Sequence, residues 1–257
     1  MIFSYTISLL ILCPLIFLAA FIDSIAGGGG LISLPAYLFV GIPVHNAYAT
    51  NKFPASMGLV TAMGNYFRGG CVDYSAAVSG SIFAFAGSII GTRLALSLSP
   101  QALQITLMVI LPLVAIFIFA RRNEKSHQDK PPVEYKLKLI LCSLIGFVFG
   151  CYDGFFGPGA GMFMTIALTS LVRLDLVKSA GTARVINFSS NFTSMITWLI
   201  NGKILFSVAI PCTACAIAGG YLGSRLAIKT GKKLIRSVLA LVAALLFIKI
   251  LFDLVKI

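Results

Sequence analysis

Apolar residues occur along the chain in long runs separated by short polar or glycine-rich stretches. Most runs are close to the roughly 20 residues with which an α-helix crosses the hydrocarbon core of a bilayer. The pattern therefore predicts an all-α polytopic membrane protein. The predicted segments are residues 2–22, 30–41, 46–68, 74–97, 101–120, 137–152, 160–172, 177–200, 203–228 and 234–252.

Two of these segments are short, and each follows a stretch rich in glycine. Segments 30–41 and 160–172 come after "AGGGG" and "FFGPGAG", and both are at or below the usual spanning length. Backbone without helical hydrogen bonds is tolerated in a membrane only where protein or a water-filled cavity satisfies it. The predicted fold thus has eight long helices and two short or half-helices after glycine-rich breaks.

The two halves of the chain repeat each other. "AFAGSIIGTRLA" at residues 84–95 aligns with "AIAGGYLGSRLA" at residues 216–227, with identity at seven of twelve positions. "FIDSIAGGGGL" aligns with "CYDGFFGPGAG", which matches Asp23 with Asp153. We interpret residues 1–120 and 137–257 as two membrane repeats joined by a hydrophilic linker loop, residues 121–136.

Composition and charge support a membrane protein. Hydrophobic residues make up 58% of the chain and charged residues 11%, against about 25% charged residues in an ordinary soluble domain. The net charge of +12 suggests nucleic acid as a partner, but most basic residues lie in a few short loops between apolar runs. Such loops are typical of the cytoplasmic side of membrane proteins, so we expect the lipid bilayer, and no nucleic acid, as the partner.

The basic loops also predict an orientation. Ten crossings with a cytoplasmic central loop make five crossings per half, so the repeats are inverted and both termini lie outside the inner, or plasma, membrane. Only Lys203 and Lys256 then remain outside. The cytoplasmic side holds Arg68, Arg121, Arg122, Lys125, Lys130, Lys136, Lys138, Arg173, Lys178, Lys229, Lys232, Lys233 and Arg236.

The two glycine-rich breaks are the first candidates for a binding site. A helix that begins after a break directs free N–H groups and a positive dipole end toward whatever lies there, and glycine lets a ligand approach the backbone. Short, interrupted segments in both halves indicate a transporter binding site, although close helix packing is the alternative. The candidate glycines are Gly28, Gly29, Gly30, Gly157, Gly159 and Gly161.

Lys52 and Arg184 are matched by the repeat and lie inside apolar segments. Each is about seven residues, or roughly 10 Å, into its segment, where a charge costs at least ~2.5 kcal/mol. We expect inverted repeats to bring both cations to one central region. The alternatives are snorkelling to the headgroups and structural pairs of Lys52 with Asp153 and Arg184 with Asp23.

Further polar side chains accompany the two cations. Arg184, Asn187 and Asn191 are spaced i, i+3 and i+7, which places them on one helix face. Thr50, Asn51 and Thr182 flank the cations in sequence. Together with the breaks, these groups suit an oxyanion, because arginine offers a planar fork and lysine a point charge.

Asp23 and Asp153 lie at the breaks and have three possible roles. They are placed to cap the following turns, to pair with the basic residues, or to take up a proton during transport. Proton coupling is the functional hypothesis for both carboxylates.

Cofactor and metal chemistry have little support in the sequence. The six cysteines are scattered, and Cys212-x-x-Cys215 lacks a second pair or a nearby histidine. The glycine run lacks the Gly-Lys-Ser/Thr ending of a phosphate-binding loop. We therefore predict no metal, no cofactor and no enzyme.

Several of these motifs resemble the TauE/SafE sulfite-exporter family. They are "FIDSIAGGGGLISLP", "AYATNKF", "GCYDGFFGPGAG", "AGTARVINFSSN" and "GSRLA", so the resemblance covers nearly the whole chain. It implies a duplicated carrier of sulfur-containing anions such as sulfite, sulfoacetate and related organosulfonates. Residues that match the family's motifs are the glycines of both breaks, Thr50, Asn51, Lys52, Asp153, Pro158, Thr182, Arg184 and Asn191.

The predicted function is a secondary transporter that exports a small sulfur-containing anion by alternating access around a central cationic site. A passive anion channel of the same duplicated fold is the main alternative, since it needs only weak, multi-site binding along a polar path. An intramembrane enzyme and a cation carrier that uses Asp23 and Asp153 as ligands are two further alternatives.

Overall fold

The computed structural model describes residues 2–106, 109 and 133–239. Most of the predicted segments 101–120 and 234–252 and of the linker 121–136 lies outside these residues. Short helical stretches at 100–106 and 232–239 mark where those two segments begin. Eight helices lie wholly within the described residues: α1 Tyr5–Ala26, α2 Gly30–Phe39, α3 Val44–Arg68, α4 Tyr74–Ser97, α5 Tyr135–Phe155, α6 Ala160–Ser170, α7 Leu176–Ile200 and α8 Phe206–Thr230.

Six of the eight helices are long and two are short. Helices α1, α4, α5 and α8 are long and apolar enough to cross a membrane by length and composition. Helices α3 and α7 have 25 residues each but carry more polar side chains. Helix α2 has 10 residues and is only about 15 Å long, so it cannot cross a bilayer alone. The described part of the chain contains no β-strand, and the all-α prediction is confirmed.

The helix boundaries follow the sequence repeat. Helices begin at residues 5, 30, 44 and 74 and again at 135, 160, 176 and 206, which are separations of 130, 130, 132 and 132 residues. The breaks repeat as well, because Gly27 and Gly157 have φ of 88° and 90°. Only glycine adopts this left-handed backbone without strain, which explains a glycine at both positions.

Glycines bring helices of opposite repeats into direct backbone contact. Gly219 of α8 lies against Phe17 of α1, and Gly223 lies against Phe21. Helix α1 therefore runs parallel to α8. Helix α4 packs on α5 in the same parallel manner, with Gly146 against Gly80, Gly150 against Ala84 and Gly154 against Ser88.

Helices α3 and α7 occupy the centre and run antiparallel to each other. Lys52 in α3 contacts Asn191 in α7, whereas Tyr66 at the other end of α3 contacts Gly181. Both central helices are polar because their side chains face protein. Lipid-facing surface is supplied by α1, α4, α5 and α8, whose exposed residues include Leu10, Ile82, Ile140 and Ile210.

Basic residues gather at one end of the bundle. At that end Gly69 after α3 contacts Ile228 of α8, and Asp73 before α4 pairs with Lys138 of α5. The basic residues on these helix ends and loops are Arg68, Lys136, Lys138, Arg173, Lys178, Lys229, Lys232, Lys233 and Arg236.

Asp73 caps α4 at the basic end. Its carboxylate accepts hydrogen bonds from the N–H of Ala76 at 3.0 Å and the hydroxyl of Ser75 at 2.8 Å, and it pairs with Lys138 at 3.1 Å. Partial burial opposes ionisation, but these three partners outweigh it and hold the pKa of Asp73 below its ordinary value. Because its pKa is lowered, the ionised carboxylate of Asp73 stabilises the fold at pH values above its unfolded-state pKa of ~3.9. This stabilisation is lost as the pH falls through the folded-state pKa.

We expect Asp73→Ala to lower the free energy of unfolding by about 1 kcal/mol at pH 7, which is typical of a lost helix cap. The cost should shrink as the pH falls below ~4, because the unfolded chain then takes up a proton at Asp73 before the folded protein does. Unfolding in detergent at pH 7 and pH 3.5 measures both effects. Glu134→Gln is the control, because Glu134 is exposed and makes no side-chain cap; an equal cost at both pH values contradicts the prediction.

Candidate functional site

The two glycine-rich breaks contact each other in the interior. After α1 the chain reverses, so that Gly29 lies against Ala19 and Val40 accepts a hydrogen bond from the N–H of Ile2 at 2.9 Å. The backbone of Gly27 packs directly on that of Met162 in α6. Each break thus forms the tip of a helical hairpin, and the tips of the two repeats meet.

A cavity of about 50 Å³ lies where the tips meet. It is lined by both breaks, by the facing sides of α3 and α7, and by parts of α1 and α5. Its volume holds about three or four water molecules.

The ammonium of Lys52 has all three of its hydrogens in use. It lies 3.0 Å from Asp153 Oδ1 and donates to the carbonyl oxygen of Asp153 at 2.8 Å and to Asn191 Oδ1 at 3.2 Å. The Lys52 side chain is 4% exposed and that of Asp153 is 3% exposed. Since Asp153 lies in the last turn of α5, Lys52 also neutralises the negative end of that helix.

Arg184 ties the two breaks together. Its guanidinium donates to the carbonyl oxygens of Asp23 and Gly161, the second at 3.0 Å, and to Thr165 Oγ1 at 2.9 Å. Nε donates to Ala180 O at 3.3 Å. Four of the five N–H groups are therefore bonded, and the fully buried side chain lies behind Gly161 rather than in the cavity wall.

The carboxylates of the two repeats differ in exposure. Asp153 Oδ2 accepts a hydrogen bond from Ser190 at 2.8 Å, so both of its oxygens are bonded. Asp23 Oδ1 accepts the N–H of Gly29 at 3.0 Å, and Oδ2 lies 3.9 Å from Arg184. The Asp23 side chain is 20% exposed. With two cations and two carboxylates, the site carries no net charge when all four are ionised.

Amide side chains complete the polar wall. Asn191 Nδ2 donates to Asn187 Oδ1 at 3.0 Å, while its own Oδ1 receives Lys52. Asn51 faces the cavity from α3. The polar stripe predicted on α7 therefore points into the cavity at Asn187 and Asn191, with Arg184 behind it.

Most predicted site residues line this cavity. Four lie elsewhere. Gly28 is in the first break, Arg184 is behind the wall, and Thr50 and Thr182 hold loops in place through hydrogen bonds. Thr50 Oγ1 accepts the N–H of Leu205 at 3.1 Å, and Thr182 Oγ1 accepts that of Asp73 at 3.0 Å. The residues in the wall are Asp23, Gly29, Gly30, Asn51, Lys52, Asp153, Gly157, Gly159, Gly161, Asn187 and Asn191.

Three residues that the sequence analysis did not single out belong to the same network. Ser190 bonds Asp153, Thr165 bonds Arg184, and Ser33 lines the cavity. Ser190 adjoins Asn191 in sequence and is three residues from Asn187, so helical spacing alone places it near the stripe. Thr165 and Ser33 carry no such signal. Within the described residues, no group of three or more His, Cys, Asp or Glu side chains is arranged to hold a metal ion.

Comparison with known proteins identifies the family. The model of the sulfite exporter TauE/SafE family matches residues 12–250. A "probable membrane transporter protein" of Haemophilus influenzae is 34% identical over 92% of each chain. The "probable membrane transporter protein YfcA" of Escherichia coli K12 is 33% identical over 92% of this chain and 87% of its own. No solved structure matches the chain. Because the family model and these relatives extend over both repeats and the cavity between them, the chain belongs to the sulfite exporter TauE/SafE family of membrane transporters.

Proposed function

We propose that the protein is a secondary transporter that exports a small sulfur-containing anion, such as sulfite or an organosulfonate, by alternating access around the central cavity. One observation carries the proposal. Lys52 of the first repeat holds Asp153 of the second, and Arg184 of the second repeat holds Asp23 of the first. These exchanged pairs lie where the hairpin tips meet, which is the interface that alternating access has to rearrange.

The halves are proposed to form an inverted repeat. Helix α7 matches α3 in the repeat and runs antiparallel to it. In the repeat α1 corresponds to α5, and α4 corresponds to α8. The parallel packing of α1 on α8 and of α4 on α5 supports an inverted orientation for these helices as well. Such halves can exchange conformations, which opens the cavity to each side in turn.

We assign the basic end of the bundle to the cytoplasm of a cell whose inner, or plasma, membrane holds the protein. Positively charged loops favour the cytoplasmic side. The N-terminus then lies outside, because Tyr5 donates to Ser207 at the end of the bundle opposite the basic one. If the last predicted segment crosses, the C-terminus lies outside as well.

A proton is proposed to accompany the anion. The four charges at the site sum to zero, and an added anion in this buried place would leave one negative charge uncompensated. Asp23 is the more exposed carboxylate and the less closely paired one. The charged and titratable groups around it are Arg184 from α7, Tyr66 from α3 and, across the cavity, Lys52 and Asp153. Protonation of Asp23 would restore neutrality when the anion binds.

We expect proteoliposomes that contain the purified protein to take up radiolabelled sulfite with saturable kinetics. Preloading with unlabelled sulfite should accelerate uptake severalfold, because a carrier returns faster when loaded. An internal pH-sensitive dye should report proton movement in step with net anion flux. Sulfate, thiosulfate, sulfoacetate, taurine and chloride, tested as competitors, would define the cargo.

Lys203→Ala serves as the control variant, since Lys203 is exposed and does not line the cavity. It should transport like wild type. Flux that rises linearly with concentration and ignores preloading would instead indicate the channel. Absence of flux for every anion would overturn the proposed function.

A further inference from the structure

The starts of the two half-helices differ in a way that the repeat does not predict. At α2 the carboxylate of Asp23 accepts the N–H of Gly29 and occupies the helix N-terminus. The matching Asp153 turns instead to Lys52 and Ser190. Gly159, the N-cap of α6, and the first helical residues Ala160 and Gly161 line the cavity, and among the described residues no carboxylate bonds to them. The N–H of Ala160 donates to the carbonyl oxygen of Gly157 at 3.1 Å, which leaves the N–H groups of Gly159 and Gly161 for a ligand.

An unpaired donor lies beside the uncovered helix start. Asn187 is 4% exposed, and its Oδ1 is taken by Asn191. Its Nδ2 has no hydrogen-bond partner in the described part of the chain and lies next to Gly161, where an added methyl carbon would be 2.9 Å from it. Because Asn187 lines the cavity, this amide N–H is available to a ligand there.

The two cations have little left to donate. Lys52 uses all three hydrogens, and Arg184 uses four of five from behind the wall. An anion would have to break existing bonds to reach either group directly. Without a direct hydrogen bond, Lys52 and Arg184 can still make the electrostatic potential of the cavity positive once Asp23 is neutral.

The two amides of α7 have no amide counterpart at the matching positions of α3. Residues 55 and 59 match Asn187 and Asn191 at the separation of 132 (187 − 55 and 191 − 59), and they are Ala55 and Leu59. Both line the cavity and offer no side-chain donor. At these two positions the first repeat is apolar where the second supplies amides, while Asn51 lines the cavity at a different position of α3.

We propose that the anion binds at the N-terminus of α6, with its oxygens accepting from the backbone N–H groups of Gly159 and Gly161 and from Asn187 Nδ2. Helix N-termini are established anion sites. The cavity of about 50 Å³ has room for a small oxyanion such as sulfite. This inference rests on the proposed function and adds the position at which the cargo binds.

The test compares Asn187→Asp with Asn201→Asp. Asn187→Asp keeps the side-chain size and the acceptor for Asn191 but replaces the donor with a carboxylate. Asn201 is an exposed asparagine at the end of α7 and does not line the cavity. Sulfite is titrated while the thermal unfolding of each purified protein is followed, and exchange is measured in proteoliposomes. We expect Asn187→Asp to raise the half-saturating sulfite concentration at least tenfold and Asn201→Asp to change it less than twofold.

Asn187→Ala provides a second route, because it makes the second repeat resemble the first at this position. If Asn187→Asp does not fold, Asn187→Ala with a wild-type unfolding temperature in the absence of sulfite should still show the tenfold loss. Wild-type affinity in either folded Asn187 variant, or equal losses in the Asn187 variants and Asn201→Asp, would overturn the α6 site while the proposed function stands. No response of the wild type to any anion would overturn both.

Discussion

Replacing Lys52 with methionine is expected to lower the free energy of unfolding by about 3–5 kcal/mol, the usual cost of removing one partner from a buried ion pair. The cost arises because Asp153, whose side chain is 3% exposed, loses its counter-ion. The carbonyl oxygen of Asp153 and the Oδ1 of Asn191 also lose their shared donor. Denaturant unfolding in detergent, followed by circular dichroism, measures the change.

A second substitution separates charge from packing. Lys52→Met with Asp153→Asn removes both charges, so stability should return partly toward wild type, because no uncompensated charge remains. Transport should stay impaired in both variants, since the end of α5 is no longer held at the cavity. Lys203→Ala should leave both properties unchanged. If Lys52→Met costs no more than Lys203→Ala, the buried pair does not stabilise the fold.

Gly146→Ala is expected to destabilise the protein by about 1–3 kcal/mol or more, as overpacking usually does. Its added methyl carbon would overlap the backbone of Gly80 in α4, including the carbonyl oxygen. No flexible side chain is present to move aside, so α4 and α5 must separate. Gly146→Leu should prevent the protein from folding, which size-exclusion chromatography in detergent would show.

Gly64→Ala is the matched control for this effect. Gly64 also lies within a long helix, α3, but an added methyl carbon meets no atom within 4 Å. Replacing glycine with alanine at such a helix position should be neutral or stabilise by up to about 1 kcal/mol. Equal effects of the two alanine variants would mean that the close contact of α4 and α5 contributes nothing specific.

Local pattern was sufficient to place the helices. The predicted segment 74–97 coincides with α4, and the segments predicted from 46 and 177 begin within two residues of α3 and α7. Apolar run length and glycine-rich breaks carry this information, because each helix satisfies its own backbone hydrogen bonds. The start of α1 at Tyr5 and its extension to Ala26, past the predicted end at residue 22, is the largest shift. Asp23 therefore lies in the last turn of the helix.

The sequence predicted most of the residues of the candidate site but fewer of the contacts that they make. Inverted repeats were expected to bring Lys52 and Arg184 to one central region, where the cost of a charge calls for a partner. Both pairs, Lys52 with Asp153 and Arg184 with Asp23, were named among the alternatives. The hydrogen bonds by which Thr50 and Thr182 hold loops in place were not predicted. Their partners, Leu205 and Asp73, belong to the opposite repeat and are more than 100 residues away.

By itself the sequence determined that the chain is an all-α membrane protein, that it is duplicated, and that its breaks and buried charges recur in both halves. These properties follow from residue type and spacing along one chain. Tertiary structure alone decided that each cation pairs across the repeats, that Asp23 covers the start of α2, and that Asn187 keeps a free donor at α6. Matched positions can differ in this way because hydrogen bonds depend on which side chains the folded helices bring within about 3 Å, and Ala55 and Leu59 face the cavity where the second repeat has two amides.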